Sequence, residues 1–100
     1  MKRTYISDTK DLAGKEVELY GWVATRRDHG KLIFIDLRDR SGIVQVVFTP
    51  SSNDYAKASE LRSEWVVKIT GTIKTRPEKM VNPDIETGKV ELEPTALEIL

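Results

Sequence analysis

The sequence contains no cysteine and a single histidine, His29. Without thiols the chain has no disulfide framework, no thiolate metal ligand and no cysteine nucleophile, and one histidine excludes most zinc sites. We therefore expect no metal site and no cofactor in this chain. No apolar run approaches the roughly 18 residues that cross a bilayer, and the first residues lack the apolar segment of a signal peptide. These absences favour a cytoplasmic protein with no membrane partner.

Net charge is also absent, because 16 basic and 16 acidic side chains cancel. Non-specific nucleic-acid binding depends mainly on neutralising phosphates, so this balance argues against a chain that grips any polyanion through its overall field. The charges are nevertheless segregated. Between Arg26 and Arg40 five basic residues outnumber three acidic ones, whereas acidic residues gather between Glu86 and Glu98. A local basic patch that reads one defined site agrees with this distribution.

What the sequence does have is period-two alternation of apolar and polar residues. Its 100 residues, 39% hydrophobic and 32% charged, indicate one ordinary globular domain spanning residues 1–100. Strands are predicted at residues 16–26, 32–38, 43–48 and 65–74, and a last one at 90–100 is interrupted by Pro94, which requires an edge or a bulge. We predict a bulge or bend at Gly21, and a positive φ at Gly42 in the second hairpin turn.

Two helical segments complete the predicted pattern. Residues 55–64 follow helical spacing, and Ser7 or Asp8 can cap a short turn that Gly14 ends. The order of strands and helix is that of an all-β OB-fold, a five-stranded Greek-key barrel with one helix between strands 3 and 4 and a short N-terminal helical turn. Residues 75–89 form a long loop without an element of its own, and such loops are often functional.

One aromatic residue lies on the polar face of the second strand. Alternation puts Ile33, Ile35 and Leu37 in the core and Phe34 on the same face as Asp36. An exposed ring of this kind is a candidate platform for stacking an unpaired base, although it also serves as a cross-strand packing partner.

The neighbours of Phe34 favour nucleic-acid binding. Arg26 and Arg27 can neutralise phosphates, and the amide of Gln45 can hydrogen-bond a base edge. We expect Asp36 and Asp39 to pair with Arg38 and Arg40. The sequence contains no carboxylate pair, nucleophile–base pair or Gly-rich phosphate loop above chance, so no catalytic residue is predicted.

Two stretches carry a family resemblance: GWVATRRDHGKLIFIDLRDRSGIVQVVF and SELRSEWVVKITGTIKTRPEKMVNPDIETGKVELEP. They resemble the N-terminal anticodon-binding domain of bacterial aspartyl-tRNA synthetase, a class IIb enzyme. The resemblance implies that the barrel reads the aspartate anticodon GUC. It further implies that Phe34 stacks on the middle uracil, that Gln45 hydrogen-bonds this base, and that Glu91 contacts the first base, a guanine.

Other site residues follow from the same resemblance. Arg26 and Arg27 correspond to arginines that contact the anticodon and its backbone, and Arg76 and Asn82 lie in the loop used around the third base. At position 80 this chain has methionine, whereas some members of the family have a polar residue there. A histidine at position 29 resembles the turn residue of enzymes with relaxed specificity. Those enzymes also charge tRNA-Asn, whose anticodon is GUU.

The resemblance also implies a larger parent enzyme. That enzyme is a homodimeric aspartate–tRNA ligase, which attaches aspartate to tRNA-Asp with ATP and Mg in a catalytic domain that these 100 residues do not contain. The chain alone is expected to be a monomer that binds tRNA without charging it. Two alternatives remain: a general single-stranded nucleic-acid-binding OB-fold module, which needs several stacking aromatics and a basic groove, and an OB-fold used for protein contacts.

Overall fold

The computed structural model describes residues 4–100. The elements in chain order are a 3₁₀ helix (Ile6–Asp11), β1 (Glu16–His29), β2 (Leu32–Asp39), β3 (Gly42–Phe48), α1 (Tyr55–Ala58), β4 (Val66–Thr75), a 3₁₀ turn (Glu78–Met80) and β5 (Val90–Ile99). The strands close into a barrel in the order β1-β2-β3-β5-β4. β3 and β5 pair in parallel, and the other neighbours are antiparallel. The predicted OB-fold is confirmed.

The barrel interior is built from the alternate apolar residues of every strand. Leu19, Ile35, Val46, Ile69 and Leu92 are completely buried, one from each strand in turn. Burying a side chain of this size contributes about 1.5–3 kcal/mol, so this alternation supplies most of the driving force for closure. The predicted inward face of β2, formed by Ile33, Ile35 and Leu37, is confirmed.

Gly21 is required for close packing and not for a bulge. A Cβ there would lie 2.3 Å from the carbonyl oxygen of Arg38 on β2. The register shift between β1 and β2 falls instead between Val23 and Thr25, so the predicted position of the bulge is wrong. Gly42 does not have the predicted positive φ. Two other glycines do: Gly14, with φ of 86°, and Gly30, with φ of 59°.

Both predicted helices differ from the structure. α1 is one turn long, whereas the sequence predicted ten helical residues. After α1 the chain turns back towards β4, and the carbonyls of Ser59 and Leu61 accept hydrogen bonds from Arg26 and not from helical amides. The N-terminal helix is 3₁₀, and Ser7 and Asp8 lie inside it. Its first amide, that of Ile6, is capped by the Asp39 carboxylate at 2.9 Å, a partner 33 residues away that local sequence does not indicate.

Pro94 lies at a bulge, as predicted, but β5 is continuous through it. The pairing of β4 with β5 shifts between Thr70 and Gly71, where Gly71 lies opposite Pro94. The Thr95 hydroxyl donates to the Thr70 carbonyl at 3.2 Å. Proline lacks an N–H, and the irregularity lets the strand continue without one ladder hydrogen bond.

Within residues 4–100 no helix has the length and apolar character needed to cross a membrane. The same residues contain no group of three or more histidine or acidic side chains arranged to hold a metal ion.

Candidate nucleic-acid interface

Two adjacent rows of outward side chains cross β1, β2, β3 and β5. In one row Arg27 lies opposite Phe34, and Phe34 lies opposite Val47. The next row runs through Thr25, Asp36, Gln45 and Glu91. We call the surface formed by these two rows the β2–β3 face. It brings together four of the predicted site residues, Arg27, Phe34, Gln45 and Glu91, and the ring of a fifth, His29, contacts Phe34.

Phe34 is half-buried on this face. The His29 ring meets it edge-to-face, with centroids 5.9 Å apart and planes at 87°. His29 is exposed at the end of β1, next to the turn to β2. The hairpin therefore places a second ring beside the predicted stacking platform.

The polar groups of the face form a continuous hydrogen-bonded chain. Arg27 Nη1 donates to Asp36 Oδ2 at 2.7 Å, and Arg27 Nη2 donates to Gln45 Oε1 at 3.3 Å. Gln45 Nε2 in turn donates to Glu91 Oε1 at 3.5 Å. The Thr25 hydroxyl also donates to Asp36. These bonds fix the orientation of the Gln45 amide, which is only 8% exposed, before any ligand arrives.

The two carboxyls of this chain have opposite pKa shifts. Burial opposes ionisation of Asp36, but hydrogen bonds from Arg27 and Thr25 outweigh it and hold its pKa below the usual value. Burial raises the pKa of Glu91, and the nearby charge of Arg76 and the hydrogen bond from Gln45 offset this only in part. Of these two carboxyls, Glu91 is the one whose ionised form its surroundings disfavour.

The predicted pairing of the aspartates is wrong. Asp36 pairs with Arg27 and not with Arg38. The Asp39 carboxylate does not pair with Arg40, because it accepts from the backbone amides of Ile6, Ser41 and Gly42. Asp39 is buried where the N-terminal helix meets the β2–β3 turn, so its role is structural.

Arg26 lies on the opposite side of β1 from Arg27. Its guanidinium forms two hydrogen bonds of 2.9 Å with Asp28. It also donates to the carbonyls of Ser59 and Leu61 at 2.6 and 3.1 Å. The structure therefore does not bring Arg26 to the β2–β3 face, and these bonds connect the β1–β2 hairpin to the segment after α1.

Arg76 and Asn82 organise the segment between β4 and β5. Arg76 is only 6% exposed and donates to the carbonyls of Val90 and Met80 at 3.0 and 3.1 Å. Burial lowers the pKa of Arg76, and the charges of Glu91 and Asp36 oppose that shift. The side-chain oxygen of Asn82, Oδ1, accepts from the backbone N–H of Asp84 at 3.0 Å. The backbone N–H of Asn82 donates to the Gly88 carbonyl at 3.0 Å.

Sequence reasoning missed Thr25 and the role of Asp36 in this site. Both side chains hold Arg27 and Gln45 in place through the hydrogen-bonded chain. Alternation alone identifies Asp36 as outward, but its partners depend on the register between β1 and β2, which contains the shift at Val23 and Thr25.

Comparison with known proteins agrees with this fold. The tRNA anticodon family model, described as an OB-fold nucleic acid binding domain, matches residues 17–100. The aspartate–tRNA(Asp/Asn) ligase of Halothermothrix orenii is 53% identical and is matched over 100% of this chain and 18% of its own length. The ligase of the same name from Cyanothece sp. is 50% identical, over 100% of this chain and 17% of its own. The chain thus spans less than a fifth of these relatives.

Solved structures similar to this chain include part of a tRNA synthetase and small OBody domains. The asparaginyl-tRNA synthetase of Pyrococcus horikoshii, complexed with asparaginyl-adenylate, is 31% identical with a TM-score of 0.81, covering 100% of this chain and 22% of that one. OBody AM3L09, bound to hen egg-white lysozyme, is 28% identical with a TM-score of 0.80, covering 100% and 96%. Because the family model matches most of its length, the chain belongs to the tRNA anticodon family of OB-fold nucleic acid binding domains.

Proposed function

We propose that this domain reads the anticodons GUC and GUU as the anticodon-binding part of an aspartate–tRNA ligase that acts on tRNA-Asp and tRNA-Asn. The observation that carries the proposal is the placement of Arg27, Phe34 and Gln45 side by side on one outer face of the barrel. A cation, an aromatic ring and an amide are the groups that contact phosphate, stack a base and read its edge. The names of the relatives, which include both tRNAs, support the dual specificity.

In this proposal the middle base stacks on Phe34. Stacking on an aromatic side chain contributes about 1–3 kcal/mol per base. The Gln45 amide offers a donor and an acceptor to the uracil edge, whose N3–H donor lies between two carbonyl acceptors. Because Arg27 and Glu91 already orient that amide, little conformational freedom is lost when the base arrives.

The remaining site residues surround this middle base. Arg27 contacts the anticodon backbone, whereas Arg26 supports the hairpin from the other side of β1. Glu91 accepts from the guanine at the first position. Arg76 and Asn82 hold the β4–β5 segment around the third base, and His29 extends the platform towards a position where the two anticodons differ.

The activity of the longer protein is part of the same proposal. The relatives are ligases of which this chain corresponds to about one sixth. In such a protein this domain selects the tRNA, and a separate catalytic domain uses ATP and Mg²⁺ to attach aspartate, in the cytoplasm and as a homodimer. The 100-residue chain alone binds RNA without charging it.

Titration with anticodon stem-loops tests the proposal. Stem-loops carrying GUC, GUU and GAC are titrated with the chain at low salt, and binding is followed by fluorescence anisotropy. We expect GUC and GUU to bind alike and GAC to bind more weakly, with loss of the difference in Gln45→Ala. Equal binding of all three, together with tight binding of poly-dT, would instead establish a general single-strand binder.

A further inference from the structure

A third row of outward side chains borders the β2–β3 face. In this row Arg38 on β2 lies between Trp22 on β1 and Ile43 on β3. Arg38 and Phe34 are on the outward side of the same strand, and at a rise of about 3.3 Å per residue they are about 13 Å apart. The row therefore places an exposed cation at the end of the face, beyond the row that contains Gln45.

The guanidinium of Arg38 has no internal partner in the part of the chain that the structure describes. Within residues 4–100 it forms no hydrogen bond and no ion pair. By contrast, Arg27 is paired with Asp36, and Arg40 donates to the Tyr5 hydroxyl at 2.8 Å. A guanidinium offers five N–H donors in a planar fork that matches the oxygens of a phosphate or carboxylate. The donors of Arg38 are therefore available to an external anion.

Arg38 also lines a cavity of about 210 Å³. The walls of this cavity come from the N-terminal helix, the β2–β3 hairpin and the segment before β5, and the side chains that line it include Ser7, Arg38, Ser41, Ile43, Ile85 and Thr87. Sites that enclose a drug-sized ligand have volumes of roughly 300–1,000 Å³. The smaller cavity beside Arg38 suits one part of a nucleotide, such as a phosphate with its ribose.

Hydrogen bonds hold the walls of the cavity together. The backbone amide of Ser7 donates to the Ser41 hydroxyl oxygen at 3.0 Å and joins the helix to the hairpin. The Thr87 hydroxyl donates to the Ile43 carbonyl and joins the segment before β5 to β3. The Ser41 hydroxyl donates to Asp39 at 2.5 Å. The hydroxyl protons of Ser41 and Thr87 are thus already used, whereas the Ser7 hydroxyl has no hydrogen bond to any other described residue.

The charges and donors around the cavity favour an anionic ligand. Arg38 and the hydroxyl of Ser7 are both donors without an acceptor among the described residues. Glu86 lines the cavity as well, but it bonds to Lys10, which offsets its negative charge. The half-buried side chain of Ile43 adds an apolar surface between the donors and the barrel. A phosphate that is attached to a sugar satisfies both the donors and the apolar surface.

We propose that Arg38 and Ser7 bind a backbone phosphate of the anticodon loop, at a nucleotide that flanks the base on Phe34, and that the ribose of this nucleotide packs on Ile43. The inference rests on the proposed function, which supplies the RNA. Arg27 then contacts the backbone beside the stacked base, and Arg38 contacts it farther along β2. Phosphate contacts position the RNA without reading its sequence, so this contact contributes equally to binding of every anticodon.

Uncharged phosphate analogues test this contact. Stem-loops with the anticodon GUC are prepared with one methylphosphonate at each loop phosphate in turn, which removes a single negative charge and leaves every base unchanged. The native chain, Arg38→Gln and Arg40→Gln are titrated with this set at low salt, and binding is followed by fluorescence anisotropy. Arg40→Gln removes the same charge from a residue near the hairpin turn that does not line the cavity. Urea unfolding checks that each variant is folded.

We expect Arg38→Gln to bind the unmodified stem-loop about tenfold more weakly than Arg40→Gln does, because a hydrogen-bonded contact to a charged group is lost. One methylphosphonate position should weaken binding of the native chain and of Arg40→Gln by a similar factor, and it should have no effect in Arg38→Gln. Ser7→Ala should show a smaller loss of affinity that depends on the same position. Arg38→Gln should still prefer GUC to GAC, because the contact reads no base.

The outcomes separate this inference from the proposed function. Equal affinities of Arg38→Gln and Arg40→Gln for the unmodified stem-loop would overturn the inference. An undiminished effect of every methylphosphonate in Arg38→Gln would do the same. In either case, a loss of binding in Phe34→Ala would leave the proposed function standing. Failure of the native chain to bind any stem-loop would overturn both.

Discussion

Arg27 and Asp36 form an ion pair across β1 and β2, with 2.7 Å between Nη1 and Oδ2. The side chain of Arg27 is 46% exposed and that of Asp36 is 23% exposed. The guanidinium is thus accessible to a phosphate while it is held beside Phe34 and Gln45. In the proposed function, a phosphate bound by Arg27 would be a second anion beside a cation that Asp36 already orients.

The first prediction separates the two adjacent arginines. Arg27→Ala should weaken binding of every stem-loop alike and reduce the slope of log K against log salt by about one, because one phosphate contact is lost. Arg26→Ala should leave the slope unchanged and lower the free energy of unfolding by about 1–2 kcal/mol, because two carbonyls lose a charged donor. Salt titrations and urea unfolding of both variants measure these effects. A reduced slope in Arg26→Ala would show that Arg26 also reaches the RNA.

The same pair shows where prediction from sequence fails. Strict alternation from Trp22 and Ala24 continues to Arg26 on the outward face. The bulge between Val23 and Thr25 inserts one residue, so Arg27 and not Arg26 lies opposite Phe34. A bulge of one residue exchanges the two faces of the strand beyond it, and nothing in the local composition of residues 21–27 fixes its position.

The core and Phe34 could be predicted because they depend only on local periodicity. Inward alternation identified Ile33, Ile35 and Leu37, and the same rule placed Phe34 outward. The cap of the N-terminal helix could not be predicted in this way. Asp39 reaches the Ile6 amide only because the closed barrel brings the β2–β3 turn to the chain start. Contacts of this kind depend on tertiary register and have no signal at the residue itself.

The second prediction concerns Asp39. Its carboxylate is buried and accepts three backbone amides and the Ser41 hydroxyl. Although burial opposes ionisation, these bonds hold the pKa of Asp39 below its usual value. Asp39→Asn should therefore lower the free energy of unfolding at pH 7 by about 1–3 kcal/mol.

The pH dependence provides the check. A carboxyl with a lowered folded-state pKa stabilises the fold above its unfolded pKa of about 3.9, and the effect is lost as the pH falls through the folded value. The difference in the free energy of unfolding between the native chain and Asp39→Asn should thus shrink as the pH is lowered below 5, as measured by urea unfolding at a series of pH values. Asp84→Asn, at an exposed loop position, is the matched control. A constant difference across the series would contradict a charge-dependent role.

The third prediction concerns Glu91, whose pKa shift has the opposite sign. Burial raises its pKa, so the folded state binds more protons than the unfolded state above about pH 4.3, and stability falls as the pH rises through this window. Glu91→Gln should remove that loss and raise the thermal midpoint at pH 7, while it weakens the preference for guanine at the first position. Thermal unfolding at pH 4 and pH 7 and the stem-loop titration measure both effects. A lower midpoint at pH 7 would mean that the attraction between Glu91 and Arg76 exceeds the burial effect.

The fourth prediction isolates the stacking platform. Phe34→Ala should reduce affinity for GUC and GUU stem-loops by about tenfold or more, because stacking on an aromatic ring contributes roughly 1–3 kcal/mol. Phe34→Leu keeps most of the packing against Val47 and His29 but removes the aromatic face, so it should lose nearly as much affinity with little loss of stability. If the leucine variant binds like the native chain, Phe34 acts through packing alone. The base would then have to be held by Gln45 and its hydrogen-bonded neighbours, and Gln45→Ala would show the larger loss.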